Sequence, residues 1–165
     1  ALVNTSELSR TLRLSVTAVD NYLYVLQKCF HIQLVRPFFS NLRKEITKMP
    51  KVYFHDLGFR NALLNQYQPL AQRIDKGMLI ENYAFVRLRN LFDADTIKFW
   101  RTADGNEVDF VINQSPGSGI AIEIKSEETQ FNLSKYRKFM EEYPKYMLQV
   151  RALQATNNRS SLFAL

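Results

Sequence analysis

The sequence contains a single cysteine, Cys29, so no disulfide can form within the chain. One unpaired cysteine is typical of a protein of the reducing cytosol, and we expect a cytoplasmic location. No apolar run reaches the roughly 18 residues that a membrane span needs, and no signal peptide opens the chain. The two histidines, His31 and His55, are well separated and have no cysteine partner, which argues against a zinc site.

The chain also lacks a G-x-S-x-G elbow, which excludes the commonest serine hydrolases. Its 165 residues suffice for one ordinary domain or two small ones. Because 46% of them are hydrophobic, a substantial core can form. The net charge of +6 favours an acidic partner, of which nucleic acid is the commonest, although many basic domains bind nothing anionic. A helix signal follows residue 1 directly, so we expect a piece of a longer protein.

The first part of the chain has the pattern of a winged helix. Asn4 and Glu7 resemble a capping box that opens a helix to about Leu12, and Ser15 can cap a second helix with one apolar face. Two β-rich runs follow, at 32–35 and 52–54. We predict a winged-helix-like module over residues 1–70, with a linker to about residue 76.

The connection between the two β-rich runs is basic and could meet the phosphates of nucleic acid. However, Asp20 lies in the middle of the presumed recognition helix, where it would repel a phosphate backbone. The module is therefore either a DNA-binding element or a packing and protein-interaction element. The candidate phosphate contacts are Arg36, Arg43, Lys44, Lys48 and Lys51.

Residues 77–165 predict an α/β domain with a mixed sheet. A helix begins at Gly77, and Asp104-Gly105 marks a hairpin turn between two strands. Proline and glycine between residues 113 and 119 indicate a loop. The predicted order is helix, three strands, helix and strand. The strands are expected at 97–101, 107–112, 120–125 and 146–150, and the second helix at 133–143.

Three ionisable residues are expected on one face of this sheet. Side chains alternate along a strand, so Glu123 and Lys125 share a face, and Asp109 lies on the neighbouring strand. Buried charges of this kind need a partner or a metal. Carboxylates beside a lysine suit phosphodiester cleavage with Mg²⁺, to which the carbonyl of Ile124 could be an extra ligand. The alternative is an ordinary charged pair on a solvated face.

The motifs of this half resemble the PD-(D/E)xK, or restriction-endonuclease-like, superfamily. The resemblance rests on Glu-Val-Asp-Phe-Val at 107–111 and Ala-Ile-Glu-Ile-Lys at 121–125. More specifically, the chain resembles the C-terminal region of bacterial and archaeal AAA-type ATPases known as domain of unknown function 4143. That resemblance covers nearly all of the chain. It adds the segments Asn21-Tyr22-Leu23, Pro50 to Gly58, Gly77 to Asn82 and Phe99 to Thr102.

This resemblance implies a restriction-endonuclease-like fold and a metal-dependent nuclease. Asp109, Glu123 and Lys125 match the metal-and-water residues, and Glu81 matches the acidic residue of the first core helix. Glu81 could instead be a surface carboxylate. Arg101 could grip a phosphate, or form a salt bridge to Glu107 across the hairpin.

The sequence departs from the family pattern in two places. Val108 precedes Asp109 where the superfamily name has proline, and the chain has no G-x-x-x-x-G-K-[S/T], so the expected ATPase would lie upstream. The sequence predicts Mg²⁺- or Mn²⁺-dependent hydrolysis of nucleic acid, with DNA as the expected substrate. Two rival hypotheses are a non-catalytic nucleic-acid-binding module and a regulatory or protein-interaction domain of the ATPase.

Overall fold

The computed structural model describes residues 2–39, 48–126 and 132–152. Five α-helices and six β-strands are described within these ranges, together with three short 3-10 helices. The helices are α1 (Thr5–Leu12), α2 (Val16–Lys28), α3 (Leu57–Leu64), α4 (Lys76–Leu88) and α5 (Arg137–Glu142). The strands are β1 (Ile32–Val35), β2 (Lys51–Phe54), β3 (Ile97–Arg101), β4 (Glu107–Ser115), β5 (Ser118–Lys125) and β6 (Tyr146–Ala152).

The first two helices begin where their capping residues predict. The Asn4 side chain accepts hydrogen bonds from the backbone N–H groups of Ser6 and Glu7, and the Ser15 hydroxyl accepts one from Ala18. These side chains satisfy N–H groups that have no partner in the first turn of a helix. The predicted starts of α1 and α2 are therefore confirmed.

The next two strands form an antiparallel pair, with Ile32 opposite Phe54 and Val35 opposite Lys51. Two helices followed by two strands match the predicted order. The basic connection between the strands is described only at its ends, and the candidate residues Arg43 and Lys44 lie outside the described residues.

The second half of the chain forms a mixed four-stranded sheet in the order β3-β4-β5-β6. β5 and β6 are parallel, and the other neighbours are antiparallel. One face packs on α4 through rings and aliphatic side chains such as Phe85, Leu88 and Phe110. The other face packs on α5 through residues such as Trp100, Val111 and Phe139. The predicted mixed α/β architecture is confirmed.

The predicted loop at 113–119 is wrong. β4 continues to Ser115 and β5 begins at Ser118, so a tight turn at Pro116–Gly117 joins them. Gly117 has a φ of 77°, which residues with a side chain rarely adopt. A Cβ at Gly119 would lie 2.0 Å from the Ile112 carbonyl oxygen, so only glycine fits this close approach of the two strands. Glycine and proline here shape a hairpin instead of interrupting the sheet.

Side chains do not alternate strictly between the two sheet faces along β4. Val108 and Val111 both lie in the core on the α5 side, although strict alternation would put them on opposite faces. The pairing with β3 shifts between Lys98 and Trp100, which pair with Val111 and Val108. An extra residue on β4 at this shift has the effect of a β-bulge. Asp109 lies within it.

The two halves of the chain share a core. Val35 and Tyr53 from the first strand pair belong to the same apolar cluster as Phe85 and Phe110. The buried Asn82 side chain on α4 accepts a hydrogen bond from the Phe54 N–H at 2.9 Å and donates one to the Phe54 carbonyl at 2.8 Å. These contacts fix β2 against α4. Within the described ranges, no helix has both the length and the apolar character needed to cross a bilayer.

Candidate metal centre

Three carboxylates from α4 and β4 converge where the helix crosses the sheet. One oxygen each from Glu81, Glu107 and Asp109 can be chosen so that all three lie within 4.8 Å of one another. Glu107 and Asp109 are two residues apart on β4, and Glu81 lies in the second turn of α4. Like charges this close repel, so the cluster requires compensating positive charge.

A lysine from β2 supplies part of that charge. The Lys51 ammonium lies 2.7 Å from Glu81 Oε1, forms an ion pair with Glu107, and lies 3.7 Å from Asp109 Oδ1. The residue is only 4% exposed, and its ammonium lies 5.2 Å from the centre of the Phe99 ring. Burial alone would lower the pKa of Lys51, but the three carboxylates outweigh it and hold the pKa above its usual value.

Glu81 is held by two donors. The Tyr53 hydroxyl donates a hydrogen bond at 2.5 Å, and the Lys51 ammonium donates another, both to the same oxygen, Oε1. Burial by itself would raise the pKa of Glu81. The charge of Lys51 and these two hydrogen bonds reverse that effect, so the pKa lies below its ordinary value.

Asp109 is less well neutralised. Its Oδ2 accepts a hydrogen bond from the Ile124 N–H at 2.9 Å, beyond the last paired residues of β4 and β5. Burial, followed by the negative charges of Glu81 and Glu123, raises the pKa of Asp109 well above its ordinary value. Lys51 and the Ile124 N–H act in the opposite direction but do not prevail. The site therefore has a shortage of positive charge at Asp109.

Glu123 and Lys125 form an adjacent group with Tyr136. The Lys125 ammonium donates to Glu123 Oε1 at 2.6 Å, as the shared strand face predicts. Glu123 is 6% exposed, and its other oxygen, Oε2, has no hydrogen-bond partner among the residues that the structure describes. A buried carboxylate oxygen without a partner is costly and is commonly explained by a missing water or ion.

The same group perturbs two further residues. Burial would lower the pKa of Lys125, but its hydrogen bond and ion pair with Glu123 raise it, so the amine stays charged. Burial, reinforced by the negative charge of Glu123, raises the pKa of Tyr136 to about 12. Tyr136 therefore remains a neutral hydroxyl that can donate to its neighbours.

The structure thus brings Glu81, Asp109, Glu123 and Lys125 into one locality, since Lys51 contacts both Glu81 and Asp109, and Asp109 accepts the N–H of Ile124, which lies between Glu123 and Lys125 on β5. Glu107 and Lys51 were not among the residues predicted for this centre. Glu107 could have been found, because it lies two residues before Asp109. Lys51 had no such signal, since it reaches the cluster only through the packing of β2 on α4.

The candidate nucleic-acid contacts fall into different environments. Lys51 is buried in the acidic cluster, so its ammonium does not face an incoming phosphate at the surface. The Arg101 side chain is 43% exposed, and its guanidinium lies 3.2 Å from Glu107. This ion pair is the alternative role predicted for Arg101. Arg36 and Lys48 are exposed.

Comparison with known proteins places this mixed α/β chain in a family. The model described as Domain of unknown function (DUF4143) matches residues 76–162, and another described as Domain of unknown function (DUF8612) matches residues 1–69. The first match covers more than half of the chain. The protein therefore belongs to the DUF4143 family.

Two mycobacterial proteins are similar to this chain. They are Uncharacterized protein Mb2031c of Mycobacterium bovis and Uncharacterized protein Rv2008c of Mycobacterium tuberculosis. Each is 30% identical over 130 residues, which are 78% of this chain and 29% of the relative. The chain thus spans less than a third of the length of these relatives. No solved structure matches it.

The donor set of the centre fits a hard divalent cation. Its candidate ligands are carboxylate oxygens, which Mg²⁺ and Mn²⁺ prefer, and no cysteine or histidine belongs to the described cluster. The unpartnered Glu123 Oε2 provides an independent sign that a positively charged or hydrogen-bonding group belongs there. The residues therefore fit the metal that the sequence predicts.

Proposed function

We propose that this protein is a Mg²⁺- or Mn²⁺-dependent nuclease of the PD-(D/E)xK type that hydrolyses nucleic-acid phosphodiesters, with DNA as the expected substrate. The proposal includes an AAA-type ATPase as the rest of the full-length protein. The observation that carries it is the buried Glu123 Oε2, which has no hydrogen-bond partner among the described residues. The neighbouring Asp109 lies 3.7 Å from the Lys51 ammonium, which is farther than the 2.7 Å between that ammonium and Glu81. A divalent cation between these two carboxylates would satisfy both.

Three of the four acidic residues have a defined part in the proposed site. Asp109 and Glu123 would hold the ion, with the carbonyl of Ile124 as an extra ligand. Glu81 would bind the ion through Oε2, because Lys51 and Tyr53 both donate to Oε1. When bound, the ion stabilises negative charge on the phosphate and lowers the pKa of coordinated water.

Lys125 would orient the attacking water or offset negative charge on the phosphate. Its hydrogen bond to Glu123 fixes the ammonium beside the proposed ligands, and its raised pKa keeps it positively charged. A positive charge there would offset the charge that develops on phosphorus as the water attacks. The Tyr136 hydroxyl would help to orient the same ammonium.

The chain also carries positive charge with which to attract its substrate. The net charge is +6, and Arg36, Lys48 and Arg101 expose their side chains. Arg43 and Lys44 would extend this basic surface. We expect binding of nucleic acid to weaken as salt rises, because phosphate contacts release counterions.

A cleavage assay with the full chain tests the proposal. Labelled duplex DNA, single-stranded DNA and RNA would be incubated with Mg²⁺, with Mn²⁺ or with EDTA. We expect metal-dependent cleavage that falls at least about 100-fold in both Asp109→Asn and Lys125→Met. Lys145→Met, which removes an exposed lysine outside the site, serves as the control. Cleavage that survives in both site variants would point to a contaminating nuclease and contradict the assignment.

One observation favours a second candidate function. Because Lys51 already compensates Glu81 and Glu107, part of the acidic cluster serves to fasten β2 to α4. On that basis the chain would be a non-catalytic nucleic-acid-binding module or a regulatory domain of the ATPase. Salt-dependent DNA binding without cleavage would select the binding module, and absence of DNA binding would select the regulatory domain.

A further inference from the structure

The acidic centre contains a cation that belongs to the protein itself. The Lys51 ammonium has three donors, and it lies in contact with Glu107, 2.7 Å from Glu81 and 3.7 Å from Asp109. In carboxylate centres that bind two ions, the second ion lies about 3.5–4 Å from the first and is coordinated by neighbouring oxygens. The Lys51 ammonium therefore occupies the position in which a second ion would be coordinated by these carboxylates.

The position of Lys51 is fixed by the fold. Lys51 is the first residue of β2, pairs with Val35, and is almost completely buried. Two residues further along the strand, Tyr53 donates to the same oxygen of Glu81. Asn82, next to Glu81, binds both backbone groups of Phe54. These contacts hold the backbone of β2 against α4, so that the buried Lys51 side chain lies among the carboxylates.

The remaining part of the centre is short of positive charge. Glu81, Glu107, Asp109 and Glu123 contribute four carboxylates. Lys51, Lys125 and Arg101 contribute three positive charges, and Arg101 lies at Glu107, next to Lys51. The deficit falls at Asp109 and Glu123, and Glu123 Oε2 is both buried and unpartnered among the described residues.

We propose that Lys51 permanently occupies one of two cation positions in this centre, so that the protein binds a single divalent ion at Asp109 and Glu123. The proposal rests on the metal centre of the proposed function and adds its stoichiometry. Lys51 is then a positioning residue that restricts the number of ions. One divalent ion changes the net charge of the centre from negative to positive, which suits an anionic phosphodiester.

The centre also combines residues from the two segments that different family models match. Lys51 lies in the segment matched by the first family model, whereas the four carboxylates lie in the segment matched by the second. The ion count is therefore set by a residue from outside the segment that supplies the metal ligands.

Counting bound Mn²⁺ tests the proposal without any assay of cleavage. The full chain would be titrated with Mn²⁺, with the free ion followed by its EPR signal and the heat by calorimetry. We expect one ion per chain for the wild type and two for Lys51→Met, which keeps an unbranched apolar side chain but removes the ammonium charge. Lys145→Met, the control for loss of a lysine charge, should bind one ion.

A second variant keeps the test decisive if Lys51→Met does not fold. Glu107→Gln should still bind one ion, because Glu107 is bound to Lys51 and does not hold the metal. Loss of the ion in Glu107→Gln would overturn the proposal, since Glu107 would then be a ligand. Two ions in the wild type, or one ion in a folded Lys51→Met, would also overturn it.

The outcomes separate this inference from the proposed function. A wild type that binds no Mn²⁺, even with duplex DNA present, would remove the metal centre and the inference with it. One ion in the wild type and in Lys51→Met would refute only the role of Lys51. Two ions in Lys51→Met, with one in a wild type that does not cleave, would support the inference while the nuclease activity fails.

Discussion

The four carboxylates of the acidic centre form two pairs in different electrostatic environments. Glu81 and Glu107 both contact the buried ammonium of Lys51, and the pKa of Glu81 is lowered despite its burial. The negative charges of Asp109 and Glu123 are less completely balanced by positive charge and hydrogen-bond donors. The pKa of Asp109 is raised, and one oxygen of Glu123 has no partner among the residues described.

The difference shows that burial alone does not define a metal site. A buried carboxylate that meets a fixed lysine is already neutralised and serves the fold. A buried carboxylate left without such a partner destabilises the empty protein unless another cation arrives. Unfavourable electrostatics of this kind are common at functional sites, which is why the Asp109 and Glu123 pair is the better candidate for binding an ion.

The largest expected effect comes from removing the cation of the compensated pair. Lys51→Met leaves Glu81 and Glu107 buried without their partner, and we expect a loss of about 3 to 5 kcal/mol in the free energy of unfolding. Urea denaturation of the metal-free protein at pH 7.5 measures it. The exposed control Lys145→Met should change stability by less than about 0.5 kcal/mol. Equal stability of the two variants would show that the first pair needs no lysine.

A smaller loss is expected when the compensated pair loses only a hydrogen bond. Tyr53→Phe keeps the ring that stacks on Phe85 but removes the hydroxyl that donates to Glu81. Hydrogen bonds to a charged group contribute about 1.5 to 3 kcal/mol, so a loss in that range is expected from thermal or urea unfolding. Tyr22→Phe, at an exposed position of α2, is the matched control. A loss no greater than that of the control would contradict this role of the hydroxyl.

Removing the lysine of the other pair should cost less. Lys125 is partly exposed, and its partner Glu123 already has one unsatisfied oxygen, so Lys125→Met should destabilise the metal-free protein by about 1 to 2 kcal/mol. The comparison with Lys51→Met under the same denaturation conditions is the measurement. A loss as large as that of Lys51→Met would mean that the two pairs are neutralised equally.

Asp109→Asn should have an effect of opposite sign. Because the folded-state pKa of Asp109 is raised, the folded protein binds more protons than the unfolded chain once the pH exceeds the ordinary value of 3.8. Stability contributed by this group is therefore lost as pH rises from about 3.8 towards the raised pKa. The variant should gain on the order of 1 kcal/mol at pH 7.5 without metal.

Melting curves at pH 4 and pH 7.5 test this sign. The advantage of Asp109→Asn over the wild type should be largest at the higher pH and should disappear near pH 4. The amide oxygen of asparagine can still accept the hydrogen bond from Ile124, so the fold contact is retained. A variant that is less stable than the wild type at pH 7.5 would show that Asp109 is well compensated.

The sequence predicted the parts of the fold that depend on local signals. Asn4 and Ser15 mark the first two helices because their side chains bind the first backbone N–H groups. Glu123 and Lys125 were placed together because side chains alternate along a strand, and the 2.6 Å contact between them follows from that period.

The features that local sequence signals do not predict depend on tertiary contacts. Lys51 reaches the acidic cluster only because β2 packs on α4, and its basic character had suggested a phosphate contact instead. The shift in β4 pairing reverses the face of Val108, and no residue in β4 signals it. Gly117 and Gly119 suggested a loop, whereas Gly117 provides the positive φ of a tight hairpin turn and Gly119 permits the close approach of the two strands.

The most direct test of the metal centre is a calorimetric titration of Mn²⁺ into the wild type and into Asp109→Asn, with and without duplex DNA. We predict that the wild type binds Mn²⁺ and that the dissociation constant of the variant is at least about 100-fold larger, or that the variant shows no detectable binding. Equal binding by the two proteins would contradict it. So would a wild type that binds no ion at millimolar Mn²⁺ even when duplex is present.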